Sequence, residues 1–132
     1  MKVIPHRFLP GQDLKKSCFQ FFKDQNNSAF GGAAIVSAVG SLSQAHLRLA
    51  NAKATVELMG PFEIVALSGT LSLDGVHLHI ALADQEGRVI GGHLMDHCII
   101  HTTAEIVFMF LSEHKFSREL DLRTGFKELK VL

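Results

Sequence analysis

At 132 residues, with 47% hydrophobic side chains and three prolines, the chain has the size of one compact domain with its own core and is too short for two. Thirteen basic residues balance thirteen acidic ones, so a net charge of zero supplies no drive towards a polyanion such as DNA. Ten Phe without Trp or Tyr leave few amphipathic aromatics, and any base stacking would fall to Phe.

Lys2 to Leu9 reads as a short strand ended by Pro10-Gly11. Asp13 then has the chemistry to cap a helix from Leu14 to about Asp24, with Leu14, Cys18, Phe21 and Phe22 as its buried stripe. The opening residues Met1 to Arg7 lack the apolar run of a signal peptide, and no later segment approaches the roughly 18 apolar residues of a membrane span. Cys18 and Cys98 stand apart without CxxC spacing, which fits buried, reduced thiols in a cytoplasmic protein.

Asn26-Asn27-Ser28 has turn chemistry, and the small and β-branched residues from Ala29 to Ala38 suit a strand closely approached by another backbone. Beyond Gly40 strands dominate: Ser43 to Ala50, Ala54 to Leu58, Phe62 to Leu73, Val76 to Ala83, Val89 to Leu94 and Cys98 to Leu111. Links as short as Asp74-Gly75 and Glu86-Gly87 imply antiparallel pairing. Glu113 to Leu132 mixes charges of both signs and reads as a solvated edge or helix face. The pattern predicts an α+β fold, a single domain over 1–132 built on a mostly antiparallel sheet with one or two flanking helices.

The segment from Val76 to His93 carries the chemistry. Val76, Leu78, Ile80 and Leu82 alternate with His77, His79, Ala81 and Ala83, a period of two that puts both histidines on the face opposite the large aliphatics. Gln85-Glu86-Gly87 fits a three-residue hairpin loop with Gly87 in the left-handed position, which pairs Asp84 with Arg88 and, along the ladder, His79 with His93. Directly opposed residues have Cβ atoms roughly 4.5–5.5 Å apart and zinc binds imidazole nitrogen at about 2.0–2.1 Å, so three such rings can converge on one ion. A two-residue loop, or a bulge at Gly91-Gly92, would turn His93 away and leave solvated sheet histidines.

Other chemistries find little footing. Gly31-Gly32 and Gly91-Gly92 open no GxGxxG or GxxxxGK[ST] turn, so a nucleotide fold is excluded. Ser68 lies in no GxSxG elbow, and Cys98 beside His97 is a poor dyad because strand neighbours point apart. Glu63, the one carboxylate in the apolar run Gly60-Pro61-Phe62-Glu63-Ile64-Val65, is placed either beside the site or towards solvent or an interface. His97 and His101 share a parity and either extend the histidine face or lie on an exposed one, while His6, His46 and His114 stand alone.

Several segments together resemble the plants-and-prokaryotes-conserved (PPC) domain in its stand-alone bacterial form, over nearly the whole chain. They are Arg7 with Pro10-Gly11-Gln12-Asp13-Leu14, Gly60 to Thr70, His77-Leu78-His79 with Ala83-Asp84, Gly87 to Leu94, and Thr102-Thr103-Ala104-Glu105. The resemblance implies an antiparallel sheet with a flanking helix, a homotrimer, and in plants a DNA-associated nuclear regulator whose domain follows an AT-hook. His77, His79 and His93 fall on positions similar to the family's metal-binding histidines, which implies zinc or a similar divalent ion. No Arg-Gly-Arg-Pro hook occurs in this sequence, Pro61 stands where the plant segment carries Arg, and His97 stands where a small residue is typical.

The expected function is therefore a DNA-binding or regulatory assembly domain, homotrimeric, with a three-His metal site and Glu63, His97 and Asp84 as supporting or interface residues. The alternative is a metal-dependent enzyme or sensor acting on a small molecule at the open coordination position. A cupin is ruled out because Ala81, Leu82 and Ala83 fill the places where its carboxylate would follow HxH.

Overall fold

The computed structural model describes residues 1–25, 30–51 and 53–132. Its elements run β1 (Lys2–Phe8), α1 (Leu14–Gln25), β2 (Gly32–Arg48), β3 (Thr55–Ser72), β4 (Gly75–Ala83), β5 (Val89–Leu94), β6 (Ile99–Leu111), β7 (Phe116–Asp121) and β8 (Phe126–Val131). The turn expected at Asn26-Asn27-Ser28 lies outside the described residues. Asp13 caps α1 by accepting the Lys16 N–H on Oδ1 at 3.0 Å. Leu14, Cys18 and Phe22, spaced by four, are fully buried, while Phe21 lies half-buried at the edge of the stripe, stacked on His6 at 4.4 Å. The helix packs this stripe against Phe8, Phe108 and Phe110 of the sheet, which is where much of the Phe content goes.

Two pairs of predicted strands are each one long strand. The segments expected at Ala29 to Ala38 and Ser43 to Ala50 are joined in β2, which spans Gly32–Arg48, and those expected at Ala54 to Leu58 and Phe62 to Leu73 in β3, which spans Thr55–Ser72; Ala29 lies outside the described residues. The punctuating residues are absorbed in bulges: Gly60 and Pro61 fall between the pairs Gln44–Met59 and Leu42–Phe62, where a proline without an N–H is tolerated. The sheet order is β1-β6-β2-β3-β4-β5, antiparallel at every pairing. β5 also returns to β2 through Leu47–Leu94 and Arg48–His93, so this part of the sheet curls back on itself.

The C-terminal segment is neither a helix face nor an edge of the main sheet. It forms a separate hairpin, β7–β8, whose charges do lie at the surface, as in the exposed Lys130–Glu119 pair at 3.0 Å. Phe116 N–H donates to the Gly31 carbonyl at 2.8 Å, and a Cβ at Gly32 would run into the Phe116 ring, so the glycine pair seats the hairpin on the body. Among the described residues no helix is long and apolar enough to cross a membrane.

Candidate metal centre

The β4–β5 hairpin has the predicted loop and register. Asp84 N–H donates to the Arg88 carbonyl at 2.9 Å, Gly87 has φ 79°, and the ladder runs from Ala83–Val89 to His79–His93 without a bulge. Asp84 closes the loop by accepting the Glu86 and Arg88 N–H groups on Oδ1, each at 2.9 Å. Leu78, Ile80 and Leu82 are buried, which leaves His77 and His79 on the outer face. On the other flank Gly69 sits opposite Leu78 with φ +138°, and a Cβ there would strike the His77 carbonyl, so only glycine lets β3 press against β4 at this point.

One nitrogen from each of His77, His79 and His93 lies within 4.8 Å of the others. Ring centroids are 4.9 Å apart for His77–His79, 5.0 Å for His77–His93 and 5.6 Å for His79–His93, and the Nε2 atoms of His77 and His79 are 3.1 Å apart. Tetrahedral zinc with imidazole at about 2.0–2.1 Å separates its nitrogens by roughly 3.3–3.4 Å, so small ring rotations suffice to bring three donors onto one ion. The donor chemistry fits. His93 Nδ1 is buried with no hydrogen-bond partner, an orphan that an incoming ligand can satisfy. Burial, then the Arg118 charge, lowers the His77 pKa, and burial, then Arg48, lowers that of His93 to about 4, so both rings are neutral near pH 7.

Residues that sequence reasoning missed complete the surroundings. A recess of about 420 Å³ opens beside the histidines, lined by Arg48, His77, His93, Arg118, Phe126 and Glu128 among others. Arg118, half-buried on β7, donates to Thr70 Oγ1 at 2.8 Å and to His77 Nδ1 at 3.2 Å, while its backbone N–H donates to Asp74 Oδ2 at 2.9 Å. Arg48 is brought in by its pairing with His93 across β2–β5 and lies over the Phe126 ring at 5.8 Å. A β2–β5 pairing would have revealed Arg48, but no pattern in the charge-balanced tail singles out Arg118.

The remaining candidates lie elsewhere. Glu63 and Asp84 line a different recess, together with Ser41, His101 and Thr102. His97, exposed, takes a left-handed φ of 73° held by its N–H donating to Asp13 Oδ2 at 2.7 Å, and its ring is 6.3 Å from that of His46. None of these joins the three-histidine cluster.

A curled antiparallel sheet with one packed helix, carrying three converging histidines on one hairpin, defines a small β-rich α+β class. The chain belongs to the Plants and Prokaryotes Conserved (PCC) domain family, whose sequence pattern matches residues 1–112; β7–β8, which supplies Arg118, lies beyond the match. It is 50% identical over 131 residues to the bifunctional protein GlmU of a Synechococcus strain, covering 99% of this chain but only 21% of that protein, so it spans about a fifth of the curated relatives it matches. A hypothetical protein from Salmonella enterica has 37% identity and a TM-score of 0.92, with 99% of this chain and 93% of that one covered. A metal-containing protein from Archaeoglobus fulgidus has 28% identity and a TM-score of 0.80, with coverage of 98% and 93%. A Bacteroides thetaiotaomicron structure described as a "putative dna binding protein" has 22% identity and a TM-score of 0.82 over 97% and 91%, a likeness of fold alone.

Proposed function

We propose that the domain holds one zinc or similar divalent ion on His77, His79 and His93 and acts as a homotrimeric regulatory module whose state is set at that ion. The observation that carries this reading is the convergence of three imidazole nitrogens within 4.8 Å on a hairpin of fixed register, one of the rings presenting a buried, unpartnered nitrogen. The Archaeoglobus relative, described as metal-containing, supports it. Three imidazole ligands leave a coordination position for water or a small ligand, where a bound zinc would act as a Lewis acid. Glu63 and Asp84 serve an interface rather than the ion, since both line the other recess.

Metal content per chain, measured by elemental mass spectrometry on untagged protein purified without chelator, tests the centre. One ion per chain in wild type and none in His77→Ala, His79→Ala and His93→Ala is the expected result; no metal in wild type refutes it. Sedimentation equilibrium tests the trimer, and a purely monomeric species sinks it. DNA association is the weaker reading, because thirteen basic against thirteen acidic residues give no net field towards phosphate. An affinity for DNA that falls steeply between low and moderate salt would restore it.

A further inference from the structure

We infer that the recess beside the histidines is a binding site for a small organic carboxylate, gripped by the Arg118 guanidinium and lying against Phe126 and Val76. The inference rests on the metal-centre reading and names the ligand class of that site. Its ground is a cation without an ion-pair partner among the described residues. A guanidinium only donates hydrogen bonds, and the two acceptors found by Arg118, the Thr70 hydroxyl and the His77 ring, are both neutral. Neither Arg118 nor Arg48 forms an ion pair among the described residues.

The acidic side chains that line the recess do not bond the Arg118 guanidinium. Asp74 accepts the Arg118 backbone N–H at 2.9 Å, and Glu128 accepts the Thr124 hydroxyl at 2.9 Å. Two arginines thus face about 420 Å³ of space next to an apolar wall. Burial lowers the Arg118 pKa more than the nearby Glu128 charge raises it, so a half-buried guanidinium without a bonded carboxylate is costly, and its planar fork matches a carboxylate in two parallel hydrogen bonds. A recess of this size suits a small acid, and Phe126 with Val76 suits a short carbon skeleton.

The Arg118–His77 contact also couples the two ligands. Because the guanidinium donates, His77 Nδ1 accepts and the ring proton sits on Nε2, directed at His79 Nε2 3.1 Å away. Ligation of an ion through His77 Nε2 requires that proton to leave Nε2 for solvent and another to be taken up on Nδ1, the ring staying neutral throughout. Nδ1–H would then meet the Arg118 N–H donor, and two donors cannot share the contact. Arg118 must turn from His77, and a carboxylate supplies the acceptor it loses. Metal and carboxylate therefore strengthen each other's binding by the same factor.

The test is titration of metal-free protein with cobalt(II), read by its visible absorption, with and without acetate or succinate, with inorganic phosphate as comparison and Arg118→Met beside wild type. In wild type, carboxylate is expected to change the cobalt spectrum saturably and to tighten cobalt binding. In Arg118→Met the carboxylate dissociation constant rises at least about tenfold and the tightening disappears. If cobalt binds one per chain but carboxylate alters neither spectrum nor affinity, or if Arg118→Met behaves as wild type, the carboxylate site is refuted while the metal centre stands. If no cobalt binds to wild type, both fall. Tighter, Arg118-dependent binding of phosphate overturns the carboxylate assignment in favour of a phosphate site. Should Arg118→Met fail to fold, Arg118→Gln, which removes the charge and the guanidinium fork but keeps a polar side chain, takes its place with the same outcomes.

Discussion

Replacing His79 separates the metal centre from the fold more cleanly than any other change. His79 is exposed and its ring makes a polar contact with His77, so His79→Ala should cost the metal-free protein no more than about 0.5 kcal/mol. Zinc held at a hundredfold above its dissociation constant stabilises a single-site protein by about 2.7 kcal/mol. In a chain of 132 residues, where about 1 kcal/mol moves the melting midpoint by roughly 3–4 °C, that is a rise of about 8–11 °C. Scanning calorimetry with and without zinc should show this rise in wild type and almost none in His79→Ala. His101→Ala is the control, since His101 is exposed on β6 and outside the cluster. A zinc-induced rise of equal size in His79→Ala and wild type would refute the geometry, because the ion would then be stabilising the protein from somewhere else.

Further outcomes follow from the same contacts. His93 is held neutral down to about pH 4, against an ordinary 6.5. Between those values the unfolded chain binds more protons, so metal-free protein should lose stability as pH falls through that window, by roughly 1–2 kcal/mol after solvent screening of the partly exposed ring. Urea denaturation should find a shallower loss in His93→Gln, and identical pH dependence would exclude His93 as its source. Gly69→Ala should destabilise by more than about 3 kcal/mol in chemical denaturation and abolish zinc binding, because its Cβ strikes the His77 carbonyl at a φ that side chains avoid. A variant of wild-type stability would contradict the close β3–β4 approach. Burial pushes the Cys18 thiol far up and that of Cys98 up to about 11. Neither should react with a thiol reagent at about pH 8 until the protein unfolds, and rapid labelling of the native protein would count against both placements.

Much of the site was legible because it depends on local rules. Alternation in β4 assigned faces, and Gly87 fixed a three-residue loop, so the pairing of His79 with His93 followed from hairpin geometry alone. The cap at Asp13 and the four-residue spacing of Leu14, Cys18 and Phe22 made the helix equally readable. What escaped was non-local. Gly40 and Gly60-Pro61 look like strand ends, yet Gly40 is paired with both β3 and β6, and Gly60-Pro61 passes as a bulge against β2. Arg118 and Arg48 reach the histidines through contacts between segments far apart in the chain, one by the seating of a hairpin on Gly31 and Gly32, the other by a two-pair ladder.

That two-pair ladder has a mechanical consequence. His93 is located twice over, by His79 from one side and by Arg48 from the other. A strand bonded along one edge can slide by two residues and recover its hydrogen bonds, but one clasped on both edges can do so only by breaking both ladders together. The His79–His93 spacing is thus triangulated rather than merely hinged at the loop. The entropy lost in ordering these donors belongs to folding and not to capture of the ion, so the site can fill at a lower free concentration than three histidines on a mobile hairpin would need.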